Sequence, residues 1–385
     1  MFDPRSQEFF EHANQHFAAM RERGPIWTEE FQGQTVHHLF GYELIKDAFS
    51  DHLRWSSEID LFEDLLLKDA SILIQDDPPR HTQLREQIFP WLHERMSRTR
   101  NNVETQRRVR DVYEGSDSSS IDAVRVGNEI RDLIICDLLG LSIAQMEDVH
   151  DWSQGFATGI GIEFLEFEGP RVEAQREFVG IWHKKLDRIL DSILENGSAP
   201  ISKLLATTKS QLSFNDVRAL IKTLLFASGH TLSAQITNTL YCFVSNREAL
   251  KRGRFDGRSL ALEALRYKGV FRGSHRLATQ VFDLAGAKIN VGDFGILWHS
   301  SGNFDEQRFA DPYNFNPRRK NSNEHLSFGF GIHRCIGAQI SFATLIQFCE
   351  LLIDDPRAMN IISFEVSRDP WVDAFDQLLI GVLDE

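Results

Sequence analysis

The chain has 385 residues, of which 42% are hydrophobic and 11% aromatic, as expected of a globular protein with a sizeable core. Its 42 basic and 56 acidic residues give a net charge of −14, which argues against general nucleic-acid binding because affinity for a phosphate backbone comes from clustered Lys and Arg. The sequence contains no run of about 18 apolar residues, so no membrane span is predicted. The N-terminus lacks the pattern of a signal peptide.

The first predicted elements are a β-hairpin, formed by residues 25–28 and 35–40. Apolar residues at helical spacing then predict helices over 121–141 and 176–194. The clearest helix begins at a Ser-x-x-Asp capping box and covers 213–243. A helix of about 30 residues spans about 45 Å, so we expect this one to cross the interior of the protein.

Strands are expected again towards the C-terminus. Residues 277–282 and 287–293 predict a second small sheet, and 377–383 predict a further strand. No internal repeat or low-complexity linker interrupts the sequence, so residues 1–385 are expected to form a single domain. The predicted fold class is therefore mainly α with small β-sheets.

The four cysteines lie far apart and form no Cys-x-x-Cys pair, so we expect neither a disulfide framework nor a zinc site, and a cytoplasmic location fits best. One of them, Cys335, follows a glycine-rich loop and starts a predicted helix over 336–353. A helix N-terminus carries unsatisfied N–H groups and positive dipole, which favour the thiolate that ligates metals. Gly331 permits a tight turn, Gly337 lets a flat ring approach the helix, and Phe328 can cover the sulfur.

This loop resembles the haem-binding pattern of the cytochrome P450 family, Phe-x-x-Gly-x-His-x-Cys-x-Gly, at five positions: Phe328, Gly331, His333, Cys335 and Gly337. The resemblance implies the cytochrome P450 fold, with haem b (iron protoporphyrin IX) buried between the long central helix and the cysteine loop. It makes Cys335 the ligand of the iron and brings His333 to an anionic group at the edge of the ring.

Two further segments are similar to the same family. Glu263 and Arg266 match its Glu-x-x-Arg motif, a structural ion pair, and Arg276 follows at the spacing of a haem-propionate arginine. The prolines that usually follow the motif are missing, because this chain has Tyr267-Lys-Gly-Val270. Upstream, the sequence Asp-Pro-Pro-Arg-His places His81 and Arg85 four residues apart, on one helix face that we expect to point towards a propionate.

The centre of the long helix departs from the family pattern Ala-Gly-x-(Asp/Glu)-Thr. With Gly229 beside the haem, Thr231 takes the place of the acid and Leu232 that of the threonine, which normally help to deliver protons during oxygen activation. Three explanations stay open. In the first, Thr231 or Ser233 takes over the role of the missing acid and threonine together with a water molecule, after a small helix shift. In the second, a polar group of the substrate supplies the proton path. In the third, the enzyme carries out chemistry that avoids standard hydroxylation. His230 is a further candidate proton donor.

The resemblance implies a monomeric monooxygenase (EC 1.14 class) that inserts one oxygen atom of O2 into a mainly apolar small molecule, such as a lipid, a terpenoid or an intermediate of secondary metabolism. Electrons come from a separate ferredoxin or flavodoxin with its reductase, which a basic cluster would bind: Arg95, Arg98, Arg318, Arg319, Lys320 and Arg334. The alternatives are a peroxygenase, oxidative coupling or a rearrangement, and a non-catalytic haem-binding sensor.

Substrate contacts are expected from aromatic and aliphatic side chains in four parts of the chain, which are the loop before His81, residues 156–170, the long helix and two later turns. The candidates are Phe62, Leu65, Phe164, Phe167, Phe226, Val270, Phe271 and Phe375. Arg272 or His275 is a candidate partner for a substrate carboxylate.

Overall fold

The structure, a computed structural model, describes all of the chain except residues 1, 5, 32, 60–72, 116–118, 147, 148, 150–172, 174–176, 178, 179, 182, 183, 185, 189, 192–199, 201–211, 252, 384 and 385. Four of the predicted substrate contacts, Phe62, Leu65, Phe164 and Phe167, therefore lie outside the described residues. The helix predicted over 176–194 falls partly in the same ranges.

The described residues divide into two compact units. The first comprises residues 1–58, 115–127 and 234–385, and the second comprises 59–114 and 128–233. The α-helices of the described part of the chain are α1 (Gln7–Arg23), α2 (Tyr42–Ser50), α3 (Arg80–Arg100), α4 (Val103–Glu114), α5 (Ala123–Leu139), α6 (Phe214–Ser245), α7 (Arg247–Leu250), α8 (Gly257–Tyr267), α9 (His299–Asn303) and α10 (Ala338–Asp354). No helix within the described ranges has the length and apolar character that a membrane span requires.

All strands of the described part of the chain belong to the first unit. They are β1 (Ile26–Phe31), β2 (Gln34–Leu39), β3 (Trp55–Ser56), β4 (Ser120–Asp122), β5 (Ser274–Ala278), β6 (Phe282–Leu284), β7 (Ala287–Ile289), β8 (Phe294–Leu297), β9 (Ala358–Val366) and β10 (Phe375–Leu383). A five-stranded sheet has the order β1-β2-β8-β5-β3, a three-stranded sheet has the order β4-β10-β9, and β6 pairs with β7 alone.

The sheets confirm the predicted hairpin, in which β1 and β2 run antiparallel with Ile26 opposite Leu39. They also confirm the C-terminal strand, β10. The prediction of one small sheet from 277–282 and 287–293 is wrong in part, because Leu277 and Ala278 belong to β5 in the five-stranded sheet. A period-2 pattern identifies a strand but not the neighbour with which it pairs.

The long helix α6 begins as its capping box predicts. The Asp216 N–H donates to the Ser213 hydroxyl (3.1 Å), and the Ser213 N–H donates to the Asp216 carboxylate (3.0 Å). From this start the helix continues to Ser245, and every residue over 232–240 is buried. A helix that is buried all round belongs to the interior of a protein.

Candidate active site

The cysteine loop connects a short 3-10 turn, Gly331–His333, to helix α10. Gly337 is the residue immediately before the helix, and Cys335 lies two residues earlier. The Cys335 N–H donates to the Phe328 carbonyl (2.9 Å), so the loop closes on itself and holds the cysteine at the start of α10. The Cys335 side chain is exposed.

Two glycines of this loop have different surroundings, a close approach at Gly331 and an open face at Gly337. Gly331 has a φ of 69°, and a Cβ atom there would press against the Phe49 carbonyl at the end of α2. Among the described residues, an added Cβ at Gly337 would meet only the Cys335 sulfur within 4 Å, at 3.9 Å. The exposed thiol and the open face of Gly337 fit a flat ring that carries a metal ion, as the sequence predicts.

Arg276 lies on β5 in the same unit and contacts the Phe49 ring. Its guanidinium is 5.4 Å from the centre of the Phe49 ring, and its side chain is buried. Burial and the charge of Arg276 lower the pKa of His275 to about 4 and that of His299 to about 3. Both imidazoles are therefore neutral at pH 7, and Arg276 keeps the positive charge of this group.

The predicted ion pair of Glu263 and Arg266 is fully buried, at 0% side-chain exposure for both residues. Arg266 donates to both carboxylate oxygens, at 2.7 and 3.0 Å. The same carboxylate accepts from the Ser322 hydroxyl (2.7 Å) and from the Asn316 N–H (3.0 Å). These bonds tie α8 to the segment that leads into the cysteine loop.

Arg319 also joins this group, which the sequence did not indicate. Its Nε atom lies 3.4 Å from the Glu263 carboxylate, and its side chain is 7% exposed. The expectation that Arg319 belongs to an exposed docking cluster is therefore wrong, because its guanidinium is occupied by Glu263 and by backbone carbonyls, including those of Asp311 and Asn314.

In the second unit, the hydroxyl groups at the centre of α6 donate to carbonyls of their own helix. Thr231 donates to Ala227 (2.6 Å) and Ser233 to His230 (2.9 Å). Thr223, two turns earlier, does the same, so this is ordinary behaviour for Ser and Thr in a helix. Leu232 is 4% exposed, which agrees with its apolar character.

A buried arginine reaches this helix from α5. Arg131 is 1% exposed, and its Nη1 atom donates to the Gly229 carbonyl (2.7 Å) and to the Asn128 side chain (3.0 Å). Asp132 compensates its charge, at 2.7 Å. Sequence reasoning missed Arg131, because the carbonyl that it binds is 98 residues away.

His81 and Arg85 lie on α3, also in the second unit. His81 is buried and Arg85 is half-buried. A spacing of four residues puts both on one helix face, as predicted. The start of α3 is fixed by Arg80, which contacts Asp216 at the start of α6 (2.5 Å).

The remaining predicted substrate contacts differ in exposure. Phe271 is 39% exposed and Phe226 is half-buried, whereas Val270 and Phe375 are both 6% exposed. Phe375 packs on Tyr241, with ring centres 4.8 Å apart. Val270 belongs to a small core cluster, so both residues have packing roles in the first unit.

Arg272, the candidate partner of a substrate carboxylate, is 2% exposed. It donates to the carbonyls of Asp369 (2.5 Å) and Val372 (2.6 Å) and lies 3.4 Å from the Asp373 carboxylate. These contacts give Arg272 a structural role and contradict the idea that it binds a substrate.

Comparison with known proteins agrees with this geometry. The family model for cytochrome P450 matches residues 261–355, which include α8 and the cysteine loop. Cytochrome P450 119 of Sulfolobus acidocaldarius is 26% identical over 340 residues, which are 84% of this chain and 87% of that protein. The monooxygenase PikC of Streptomyces venezuelae is 27% identical over 352 residues, 84% of this chain and 79% of that protein.

Solved structures show the same fold. CYP109E1 from Bacillus megaterium, in complex with testosterone, has a TM-score of 0.83 at 24% identity, with 97% of this chain and 99% of that chain covered. Epothilone D-bound cytochrome P450epoK has a TM-score of 0.84 at 21% identity, with 100% of both chains covered. The predicted fold class is confirmed. The family model, the relatives and the solved structures together support a cytochrome P450 of the bacterial type, a family whose members bind haem b through a cysteine thiolate and act as monooxygenases.

Proposed function

We propose that this enzyme inserts one oxygen atom of O2 into a mainly apolar small molecule, with electrons from a separate ferredoxin or flavodoxin and its reductase. The observation that carries the proposal is the exposed Cys335 thiol, held at the N-terminus of α10 by the bond to Phe328. The cytoplasmic location, the single domain and the monomeric state stay predictions from the sequence.

Cys335 would ligate the iron, with Gly337 leaving room for the ring and Phe328 closing the loop behind the sulfur. When bound, haem supplies the oxidising chemistry, and a thiolate ligand increases electron density at the iron. Arg276 and His333 of the first unit are the residues that we propose for a haem propionate, and the same role for His81 and Arg85 stays a prediction from the sequence.

The residues at the centre of α6 would position protons. The Thr231 hydroxyl donates within the helix, which leaves its oxygen atom able to accept a hydrogen bond from water. We assign Thr231 this accepting role, with Ser233 and His230 as further candidates. Gly229, with no side chain, would leave space for the ring and the substrate.

A second candidate function is peroxide-dependent oxygenation, which needs no redox partner. The observation that favours it is the buried, apolar Leu232 at the place of the family's threonine. Turnover of the same substrate with hydrogen peroxide alone, at a rate equal to or above that with a reductase system, would select this candidate.

The haem-thiolate assignment is tested by replacing the ligand. In the Cys335→Ala variant we expect the reduced, carbon monoxide-bound protein to lose the absorption band diagnostic of thiolate ligation, because no other sulfur replaces it. Cys136→Ala, which changes a half-buried cysteine elsewhere, is the control and should keep the band. A Cys335→Ala protein that binds haem with the wild-type spectrum would overturn the assignment.

A further inference from the structure

A hydroxyl, an imidazole and a carboxylate are joined in a row at the edge of the five-stranded sheet. The Thr28 hydroxyl on β1 is 2.8 Å from Nδ1 of His37, and Nε2 of the same ring is 3.0 Å from the Asp293 carboxylate. Thr28 and His37 lie directly opposite each other in the hairpin of β1 and β2, so the register of the strands sets the first contact. We call Thr28, His37 and Asp293 the hydroxyl relay.

The three groups differ in exposure in the way that an activated alcohol requires. Thr28 is exposed, whereas the side chains of His37 and Asp293 are 1% and 10% exposed. The imidazole and the carboxylate are therefore shielded from water, which would otherwise compete for their hydrogen bonds. The hydroxyl at the end of the row stays accessible to a molecule in solution.

The turn that carries Asp293 fixes its carboxylate. The oxygen that contacts His37 also accepts from the Asn290 N–H (2.7 Å). The Asp293 carbonyl accepts from the Ala278 N–H (2.9 Å), which ties this turn to the end of β5. Because its backbone and its side chain are both held, Asp293 can orient the His37 ring, as the acid of a catalytic triad does.

The partners of the His37 ring determine where its proton lies. A carboxylate only accepts hydrogen bonds, so Nε2 of His37 donates to Asp293. In the neutral ring Nδ1 is then the acceptor, and the Thr28 hydroxyl donates to it. A hydroxyl that donates to an imidazole is a better nucleophile than one that donates to water, because the ring takes up the proton as the oxygen attacks.

The next residue, His38, provides a comparison within the same strand. It is also 1% exposed, and its Nε2 atom lies 3.1 Å from the Glu29 carboxylate. Its Nδ1 atom accepts from the Trp298 indole N–H (3.1 Å). An indole N–H donates a hydrogen bond but has no lone pair with which to attack, so the contact with Trp298 has a structural role. The contact of His37 with Thr28 differs, because an alcohol can attack.

The strand that carries Thr28 also offers donors for a developing oxyanion. In the described part of the chain, β1 is at the edge of its sheet and pairs with β2 alone. Alternate N–H groups of an edge strand point away from its partner, and such donors stabilise the charge of a tetrahedral intermediate. Ile26, two residues before Thr28 on the same face, is half-buried and provides apolar surface for a short acyl chain.

We propose that Thr28 is a nucleophilic hydroxyl that accepts an acyl group from an activated acyl donor, such as an aryl ester or an acyl phosphate, with His37 as the general base. This activity goes beyond the proposed oxygenation and uses no chemistry of the haem. The Thr28 oxygen forms a bond to the acyl carbon, and the bond from that carbon to the leaving group breaks. The Thr28 proton passes to Nδ1 of His37 and then to the leaving group. The product is an ester on Thr28, and nothing is oxidised or reduced.

The test treats haem-bound protein with p-nitrophenyl acetate and, separately, with acetyl phosphate. Acetylation of each threonine is followed by peptide mass spectrometry after digestion with pepsin, whose acidic pH preserves esters. Thr279 is the matched control, because it is exposed like Thr28 but its hydroxyl donates to the Leu53 carbonyl, which takes up no proton. We expect Thr28 to be acetylated about 100-fold faster than Thr279, in line with the contribution of a general base.

Variants separate the base from the alcohol. In His37→Gln the side chain can accept a hydrogen bond but not a proton, so acetylation of Thr28 should fall about 100-fold. Asp293→Asn serves if His37→Gln does not fold. Its amide can donate to Nε2, which puts the ring proton on Nδ1 and removes the acceptor from Thr28, so a similar fall is expected. Thr28→Ser keeps the hydroxyl and should still be acetylated at this position.

Acetylation of Thr28 no faster than that of Thr279 in the wild-type protein would overturn the proposal, and this comparison needs no variant. Fast acetylation that neither His37→Gln nor Asp293→Asn slows would also overturn it, because the hydroxyl relay would then not be its cause. Absence of the thiolate carbon monoxide band from the wild-type protein would contradict the proposed function instead, and the acetylation rates would still report on the hydroxyl relay.

Discussion

At the scale of single residues, Glu263 shows how one buried charge organises the path to the cysteine loop. Its carboxylate has no exposed surface and binds Arg266, Ser322, Asn316 and Arg319. Ser322 and Arg319 are 59 and 56 residues away in the sequence. A Glu-x-x-Arg motif predicts the first of these contacts, since i and i+3 share a helix face, but no local pattern predicts the others.

Replacing Glu263 by Gln should therefore destabilise the protein strongly. The substitution leaves Arg266 and Arg319 buried without a compensating charge, and removing one partner of a buried pair typically costs about 3 to 5 kcal/mol. We expect the free energy of unfolding, measured with urea on the haem-bound protein, to fall by that amount. Glu248→Gln, at an exposed pair, should change it by less than about 1 kcal/mol. Equal losses in the two variants would contradict this account.

At the scale of elements, the sequence predicts those helix boundaries and strands that depend on residues close together in the chain. The capping box at Ser213 and the apolar run after it specify where α6 begins, and the alternation near residue 35 specifies a hairpin. The pairing of β5 with β8, and the contact of Arg131 with Gly229, depend on residues brought together only by folding. Such contacts leave no periodicity, so a single sequence does not reveal them.

The helices α5 and α6 meet at two such contacts, one in each unit. In the first unit the Thr237 hydroxyl donates to the Ala123 carbonyl (3.1 Å), and in the second Arg131 donates to Gly229 (2.7 Å). The second contact falls within the segment that carries Thr231 and Ser233. We interpret Arg131 as a positioning residue, which fixes the rotation of α6 at the proposed proton-handling hydroxyls.

For Arg131→Met we expect faster hydrogen exchange at the amides of residues 229–233, because the charge-assisted bond to Gly229 is lost. Amides near Thr223, two turns earlier, should be unchanged. The free energy of unfolding should fall by about 1.5 to 3 kcal/mol, the usual worth of a hydrogen bond to a charged group. Asp132→Asn removes the compensating charge but keeps the Arg131 guanidinium that donates to Gly229. This variant therefore separates the effect of losing the hydrogen bond from the effect of losing charge balance. Exchange at 229–233 that matches the wild type would exclude the positioning role.

At the scale of the whole molecule, the net charge of −14 opposes the approach of an acidic protein such as the ferredoxin that we propose as electron donor. If ferredoxin is the donor, a local positive surface has to overcome this repulsion. The structure reduces the number of residues in the predicted basic cluster that are available to bind a partner. Arg319 is buried, Arg95 donates to the Leu138 carbonyl, and Arg98 pairs with Glu94. In the first unit Arg318, Lys320 and Arg334 are exposed, and Arg334 immediately precedes the proposed iron ligand.

We therefore expect Arg334→Glu to slow electron transfer from a ferredoxin by about tenfold at low ionic strength, because reversing a charge in a docking surface acts mainly on association. Added salt should slow the wild-type reaction and have a weaker effect on the variant, since screening removes the attraction that the variant lacks. Lys288→Glu makes the same change of charge on β7, where the residue is exposed, and should reduce the rate much less. The carbon monoxide spectrum should be that of the wild type in both variants, which separates docking from damage at Cys335. Equal rates and equal salt dependence for Arg334→Glu and the wild type would place the docking surface elsewhere.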